Sequence, residues 1–218
     1  MWNSIKKHKG FLIKLFVACV CIFATIIFAN RYLEQQKLAN YPYEIIKHEA
    51  ELTYSEFKCE LVKEVKHYID SIAPSSSLNA IAVVEKCEQY DLDIKFVLAQ
   101  GHIESNFGTS GMAKKTNSVW NVGAYDNMTV EMINGKHKYK HPDYSIEPYM
   151  QLLYKDYITN TKTELDLMAK FVTKGGSRYA SNPNYEHLLL AQYKYIDKHT
   201  KIAYLQNEMR RYKIISGS

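Results

Sequence analysis

VLAQGHIESNFG, residues 97–108, is the stretch on which the reading of this chain turns. Asp91-Leu92-Asp93 offers a helix start, and the apolar spacing predicts a helix running through Ile94, Val97, Leu98 and Gly101 towards Glu104. A carboxylate at that end of a helix meets the negative pole of the helix dipole. Burial against Ile103 and Phe107 would add desolvation, and both effects favour the protonated form. A carboxylic acid that keeps its proton near neutral pH is what a glycosidase uses to protonate a leaving oxygen. The competing reading of Glu104 is an exposed residue at a frayed helix end.

Upstream, Leu78–Tyr90 reads as a helix with Ile81, Val84 and Cys87 on one face. Before it, Thr53-Tyr54-Ser55-Glu56 has capping-box spacing and predicts the start of a helix that Pro74 ends. Downstream, residues 105–128 are rich in Ser, Asn, Gly and Thr and read as a long loop. Residues 129–133 alternate polar and apolar, Asn134-Gly135 is a hairpin signal, and Lys136–Lys140 supply a return strand. Ser145 is the N-cap candidate of the next helix, whose apolar face is Ile146, Tyr149, Met150, Leu153 and Tyr157. A helix over about 163–172, a loop over 177–184 and a long helix from Tyr185 complete the pattern. The expected fold is mainly α, a lysozyme-like α+β arrangement with one small β-hairpin, preceded by a transmembrane helix.

That membrane segment is Phe11–Ala29, FLIKLFVACVCIFATIIFA, with Lys14 as its one charge. As a helix it would span about 28 Å, near the hydrocarbon thickness of a bilayer. Lys6, Lys7 and Lys9 precede it, which predicts a cytoplasmic N-terminus and an extracytoplasmic remainder. No A-x-A-like site ends the run, so a retained anchor is expected over a cleaved signal peptide. The expected organisation is a cytoplasmic tail 1–10, an anchor 11–29, a tether 30–52, a lysozyme-like domain 53–200 and a tail 201–218.

Composition narrows the function further. The chain of 218 residues is 46% apolar and 23% charged, enough for a packed core. Its net charge of +5 is local: residues 1–31 hold five of the 28 bases and none of the 23 acids, leaving 23 against 23 beyond them. No nucleic-acid-binding domain is implied. Cys59 and Cys87 match no metal-binding spacing and read as two separate buried thiols, with a disulfide chemically permitted if that part of the chain is extracytoplasmic. No HExxH, phosphate loop, dinucleotide fingerprint or G-x-S-x-G elbow is present, so no metal or organic cofactor is expected.

Several elements, taken together and in order, carry a resemblance. They are Leu98-Ala99-Gln100 with Glu104-Ser105-Asn106-Phe107-Gly108; Asn117–Gly123; Thr129–Gly135; Ser145-Ile146-Glu147-Pro148-Tyr149; and Tyr179-Ala180-Ser181-Asn182-Pro183-Asn184-Tyr185. Across residues 76–200 this order resembles the glucosaminidase family of lysozyme-like peptidoglycan hydrolases, glycoside hydrolase family seventy-three. The resemblance implies cleavage of β-1,4 bonds in peptidoglycan glycan strands. It matches Glu104 to the general acid, Glu131 to the second catalytic carboxylate and Tyr179 to a tyrosine near the cleavage subsite.

The residues add alternatives. Glu131 on a strand could equally face solvent beside Lys138, and Asp126 competes as the second carboxylate. Trp120 and Tyr125 are candidates for stacking on sugar, with core packing an equal reading for Trp120. Asn121, Asp126 and Tyr185 complete the candidate binding set. The chain departs from the family pattern where Trp120-Asn121-Val122-Gly123 replaces Phe-Gly-Ile-Lys and Asn182 replaces Asp. Two other functions compete: a lytic transglycosylase on the same substrate, which needs one essential carboxylate, and a non-catalytic membrane-anchored glycan-binding or assembly protein.

Overall fold

The structure, a computed structural model, describes residues 2–122, 132–134, 136–158 and 162–217, without the side chains of 2–24, 37–43, 132 and 136. It divides into two compact units, Met1–Leu52 with Ile214–Ser218, and Thr53–Lys213. Helix α1 covers Trp2–Ile72. In the first unit its Ile26, Ile27, Phe28, Tyr32 and Leu33 are exposed. Most side chains of the expected membrane segment, 11–29, lie outside the described residues. Among the described residues no helix is long and apolar enough to cross a membrane.

The second unit is built around one short helix. After α2 (Ala80–Gln89) comes α3 (Ile94–Ser105), in which every residue from Ile94 to Gly101 is buried. A helix buried on all sides has to be surrounded. Helix α7 (Tyr185–His199) packs along α3, α2 meets both α3 and α5 (Ile146–Leu152), and α6 (Glu164–Ala169) lies on α7. Helix α4 (Ala113–Thr116) is a single turn. A π-helical turn, Leu153–Tyr157, continues α5. Strands β1 (Met132–Ile133) and β2 (Lys136–His137) pair antiparallel, Met132 with His137 and Ile133 with Lys136. Leu61, Val65, Val84, Phe96, Leu98 and Leu189 belong to the continuous core.

The caps explain the boundaries. Asp93 Oδ1 accepts from Lys95 N at 2.8 Å and starts α3, while Asn79 Oδ1 accepts from Ile81 N at 3.0 Å and starts α2. Three expectations fail locally. Thr53-Tyr54-Ser55-Glu56 continues α1 instead of capping a new helix, because Ala50, Glu51 and Leu52 are good helix formers and no Gly or Pro interrupts them. Ser145 ends a 3-10 turn, Pro142–Ser145, and makes no cap on α5; its hydroxyl donates to Pro142 O at 2.7 Å. Residues 202–216, expected within a tail, form helix α8 (Ile202–Ser216), and Ile202, Leu205 and Met209 enter the core at a spacing of three to four residues. Both thiols are free, and Cys87 is buried as expected, but Cys59 is exposed because it lies on the outer face of α1.

Glu88 ties three helices of this unit. Its carboxylate takes hydrogen bonds from Tyr54 and Lys58 of α1 at 2.6 and 3.0 Å, and from Lys213 of α8 at 2.8 Å. Burial opposes ionisation, but these three donors outweigh it and hold the carboxyl at a pKa of about 2. A folded-state value below the unfolded one gives stability that is complete above the unfolded carboxylate range and lost as pH falls towards 2. Urea denaturation of the wild type between pH 6 and about 3 is expected to show this loss, and Glu88→Gln to flatten the slope.

Candidate active site

Glu104 is the penultimate residue of α3 and is half-buried. The helix ends on Asn106 in the left-handed conformation, φ 47°, followed by Phe107 at φ 53° and Gly108 at φ 84°. Left-handed backbone costs a residue with a Cβ roughly 1–2 kcal/mol. Phe107 offsets that cost by complete burial of its ring. Ser105 closes the turn: its hydroxyl donates to Val119 O at 2.6 Å and accepts from Gly108 N at 2.8 Å. Ser76 Oγ donates to Phe107 O at 2.7 Å, fixing the same turn to the connection between α1 and α2.

Both oxygens of the Glu104 carboxylate have partners. Tyr185, the first residue of α7, donates its hydroxyl to Oε1 at 2.6 Å. Asn121 Nδ2 donates to Oε2 at 3.2 Å and to the Glu104 carbonyl at 3.0 Å. Asn121 has φ 51°, in the left-handed region where Asn is the best substitute for Gly. The side chain at this turn reaches the Glu104 carboxylate.

Behind these contacts lies a polar chain that sequence reasoning missed. Gln100 Nε2 donates to the Tyr185 hydroxyl at 3.1 Å, and Tyr149 of α5 donates to Gln100 Oε1 at 2.5 Å. Gln100 and Tyr149 are wholly buried. Burial, then the neighbouring Tyr179 and Glu104, push the Tyr185 phenol far up, and burial does the same for Tyr149. Both hydroxyls therefore keep their protons as donors. The overlooked signal was spacing: Gln100 lies four residues before Glu104, on the same face of an otherwise apolar helix.

Two members of the expected binding set serve other ends. Trp120 is fully buried, stacked on Tyr149 at 4.5 Å between centroids, and its Nε1 donates to Val97 O at 3.1 Å. It packs the core and presents no face to a sugar. Tyr185 is 7% exposed and serves the acid rather than a binding surface. Tyr179 is half-buried, stacked on Phe171 at 4.4 Å, with its hydroxyl donating to Trp120 O at 3.2 Å. It thus stands beside Tyr185, ring centroids 5.5 Å apart. Arg178 holds this loop by pairing with Glu186 at 2.7 Å.

Glu131, Tyr125 and Asp126 lie outside the described residues. The described chain on either side is tied together: Tyr139 N donates to Thr116 O at 2.7 Å and Asn117 Nδ2 to Tyr139 O at 2.8 Å. His102 faces away from the acid, with Nδ1 3.2 Å from the Tyr68 hydroxyl. Among the described residues no group of His, Cys, Asp and Glu could hold a metal ion. What the arrangement offers chemically is one half-exposed carboxyl group, oriented through both oxygens.

A family model described as mannosyl-glycoprotein endo-beta-N-acetylglucosaminidase matches residues 80–198, from the first residue of α2 almost to the end of α7. No curated protein matches the chain.

Gly101 underlies the site's geometry. A Cβ there would lie 3.2 Å from Trp120 Nε1 and 3.3 Å from the Phe107 ring. Trp120 is held by its stacking and its hydrogen bond and cannot retreat. Gly101→Ala, which would gain nearly 1 kcal/mol in an open helix, is expected instead to lose about 1–2 kcal/mol through overpacking. Chemical denaturation measures the sign.

Proposed function

The chain belongs to the glucosaminidase family, a family of glycosidases, and from that premise we propose that it hydrolyses β-1,4 bonds of peptidoglycan glycan strands with Glu104 as general acid. The observation that carries the assignment of the acid is the double hold on Glu104, by Tyr185 on one oxygen and Asn121 on the other. Catalysis by proton transfer requires a group fixed within hydrogen-bond reach of the atom it serves. A carboxylate kept only for stability gains nothing from half-exposure at a helix C-terminus, where the dipole opposes its charge.

In the reaction, the Glu104 proton passes to the glycosidic oxygen as the bond from that oxygen to the anomeric carbon breaks. Water adds to the oxocarbenium-like carbon and gives up a proton. Glu131 takes that proton in this reading, and its sequence match to the family's second carboxylate supports the role. Attack by the substrate's own N-acetyl group is the other route to cleavage of the same bond, with retention in place of inversion at the anomeric carbon, and it relieves the demand on Glu131. The family description, an endo-acting N-acetylglucosaminidase, supports cleavage within a strand on the reducing side of N-acetylglucosamine. Display of this domain outside the cytoplasm, on an anchor formed by 11–29, would bring it to that substrate.

Glu104→Gln is expected to abolish release of reducing ends from purified peptidoglycan, with a loss of at least about 100-fold, while the thermal transition persists. Retention of wild-type turnover would refute the assignment. Mass spectrometry of the wild-type products checks the reaction type, since hydrolysis gives reducing ends and a transglycosylase gives anhydro ends. Glu131→Ala tests the second carboxylate: a fall comparable to Glu104→Gln supports it, and full activity assigns its part to the substrate.

A further inference from the structure

The polar chain behind Glu104 has a direction. An amide side chain donates at nitrogen and accepts at oxygen. Gln100 Oε1 accepts the Tyr149 hydroxyl proton, so its Nε2 is turned to the oxygen of Tyr185. That leaves the single hydroxyl proton of Tyr185 for Glu104 Oε1. With the amide reversed, Tyr185 would donate to Gln100 and turn a lone pair on Oε1, which an ionised Glu104 would oppose. The two links behind Tyr185 are shut away from water, since Gln100 and Tyr149 are wholly buried and Tyr185 is 7% exposed. Solvent therefore offers none of them a substitute partner.

Resting on the reading of Glu104 as the acid, we propose that Gln100 and Tyr149 are positioning residues: they fix the direction of the Tyr185 hydroxyl proton and so reserve Glu104 Oε2 as the oxygen that carries the proton to the substrate. With Oε1 occupied as an acceptor, protonation of Glu104 falls on Oε2. Asn121 Nδ2, 3.2 Å from Oε2, occupies one lone pair and leaves the other for the proton. The chain thus distinguishes the two oxygens of Glu104 from Gln100, two hydrogen bonds away, and Tyr149, three hydrogen bonds away. Neither Gln100 nor Tyr149 touches the substrate, and their influence passes entirely through Tyr185. Burial holds both phenols protonated, so each keeps a hydroxyl proton to donate.

The test uses the full chain labelled with carbon-13 at tyrosine Cζ. Tyr149→Phe removes one oxygen and keeps the ring stacked on Trp120. The Tyr185 Cζ resonance is expected to move, although Tyr149 and Tyr185 share no hydrogen bond. An unmoved resonance overturns the proposal. Gln100→Leu carries the same expectation if Tyr149→Phe does not fold. A kinetic arm uses soluble peptidoglycan fragments. Tyr149→Phe is expected to lower kcat about tenfold with KM unchanged. Made in a Tyr185→Phe background, it is expected to lower kcat no further. Equal losses in both backgrounds overturn the relay. Absence of hydrolysis by the wild type would instead overturn the glycosidase reading, and the Tyr185 resonance would still decide the relay.

Discussion

The close approach at Gly101 is the constraint on which the site depends. Trp120 and Phe107 both come within van der Waals range of a position where any other residue would carry a Cβ. Trp120 brings the 120–122 segment against α3, and its indole N–H reaches Val97 O. Phe107 draws the chain back over the helix it has just left, through consecutive left-handed residues. Without that fold-back, α3 would end in solvent, and Glu104 would sit on a frayed last turn. With it, the end of α3 is enclosed by Ser76, Val119 and Gly108, each bonded to the turn. The acid is held because its backbone is held.

The cost of this arrangement lies in the core. Gln100 and Tyr149 place an amide and a hydroxyl where apolar groups would pack without risk. A buried polar group left unpaired costs roughly 1–3 kcal/mol, whereas a paired one contributes about 1. Every link from Tyr149 to Glu104 must therefore form together, and this makes the network stiff. Stiffness is useful at a proton donor, where an ångström of displacement weakens catalysis strongly. The same logic covers Trp120. A stacking surface for sugar would have to be exposed, whereas a buried indole turns two backbone segments into one rigid block.

Much of the helical pattern was legible in the sequence, because Asp93, Asn79 and the apolar spacing of α2 and α3 act locally. Glu104 at a helix end was legible for the same reason. The continuous α1 was not: a capping-box spacing signals a helix start only where the preceding residues are extended, and Ala50, Glu51 and Leu52 favour helix. Helix α8 was obscured by polar residues between Ile202, Leu205 and Met209, whose burial depends on partners distant in sequence. Aromatic residues were the least legible. Trp120 and Tyr185 have the surface and shape to bind sugar, and only the tertiary structure shows that one fills the core and the other holds the acid. Gln100 went unread because a single amide in an apolar helix has no meaning until Tyr149 and Tyr185 arrive beside it.

Asn121 shows how one residue can serve both a backbone turn and the site. The backbone at this position is left-handed, which glycine adopts freely and asparagine adopts with the least strain among residues carrying a Cβ. A β-branched or large apolar residue there would unseat the turn after Trp120, and with it the block on which Glu104 rests. Asparagine keeps the turn and adds an N–H that glycine lacks, aimed at both the carbonyl and Oε2 of Glu104. The side chain stands on the same side of the acid as the oxygen left open by Tyr185. It therefore narrows the approach to that oxygen while helping to orient it. In this chain the amide exchanges some freedom of the Glu104 carboxylate for order.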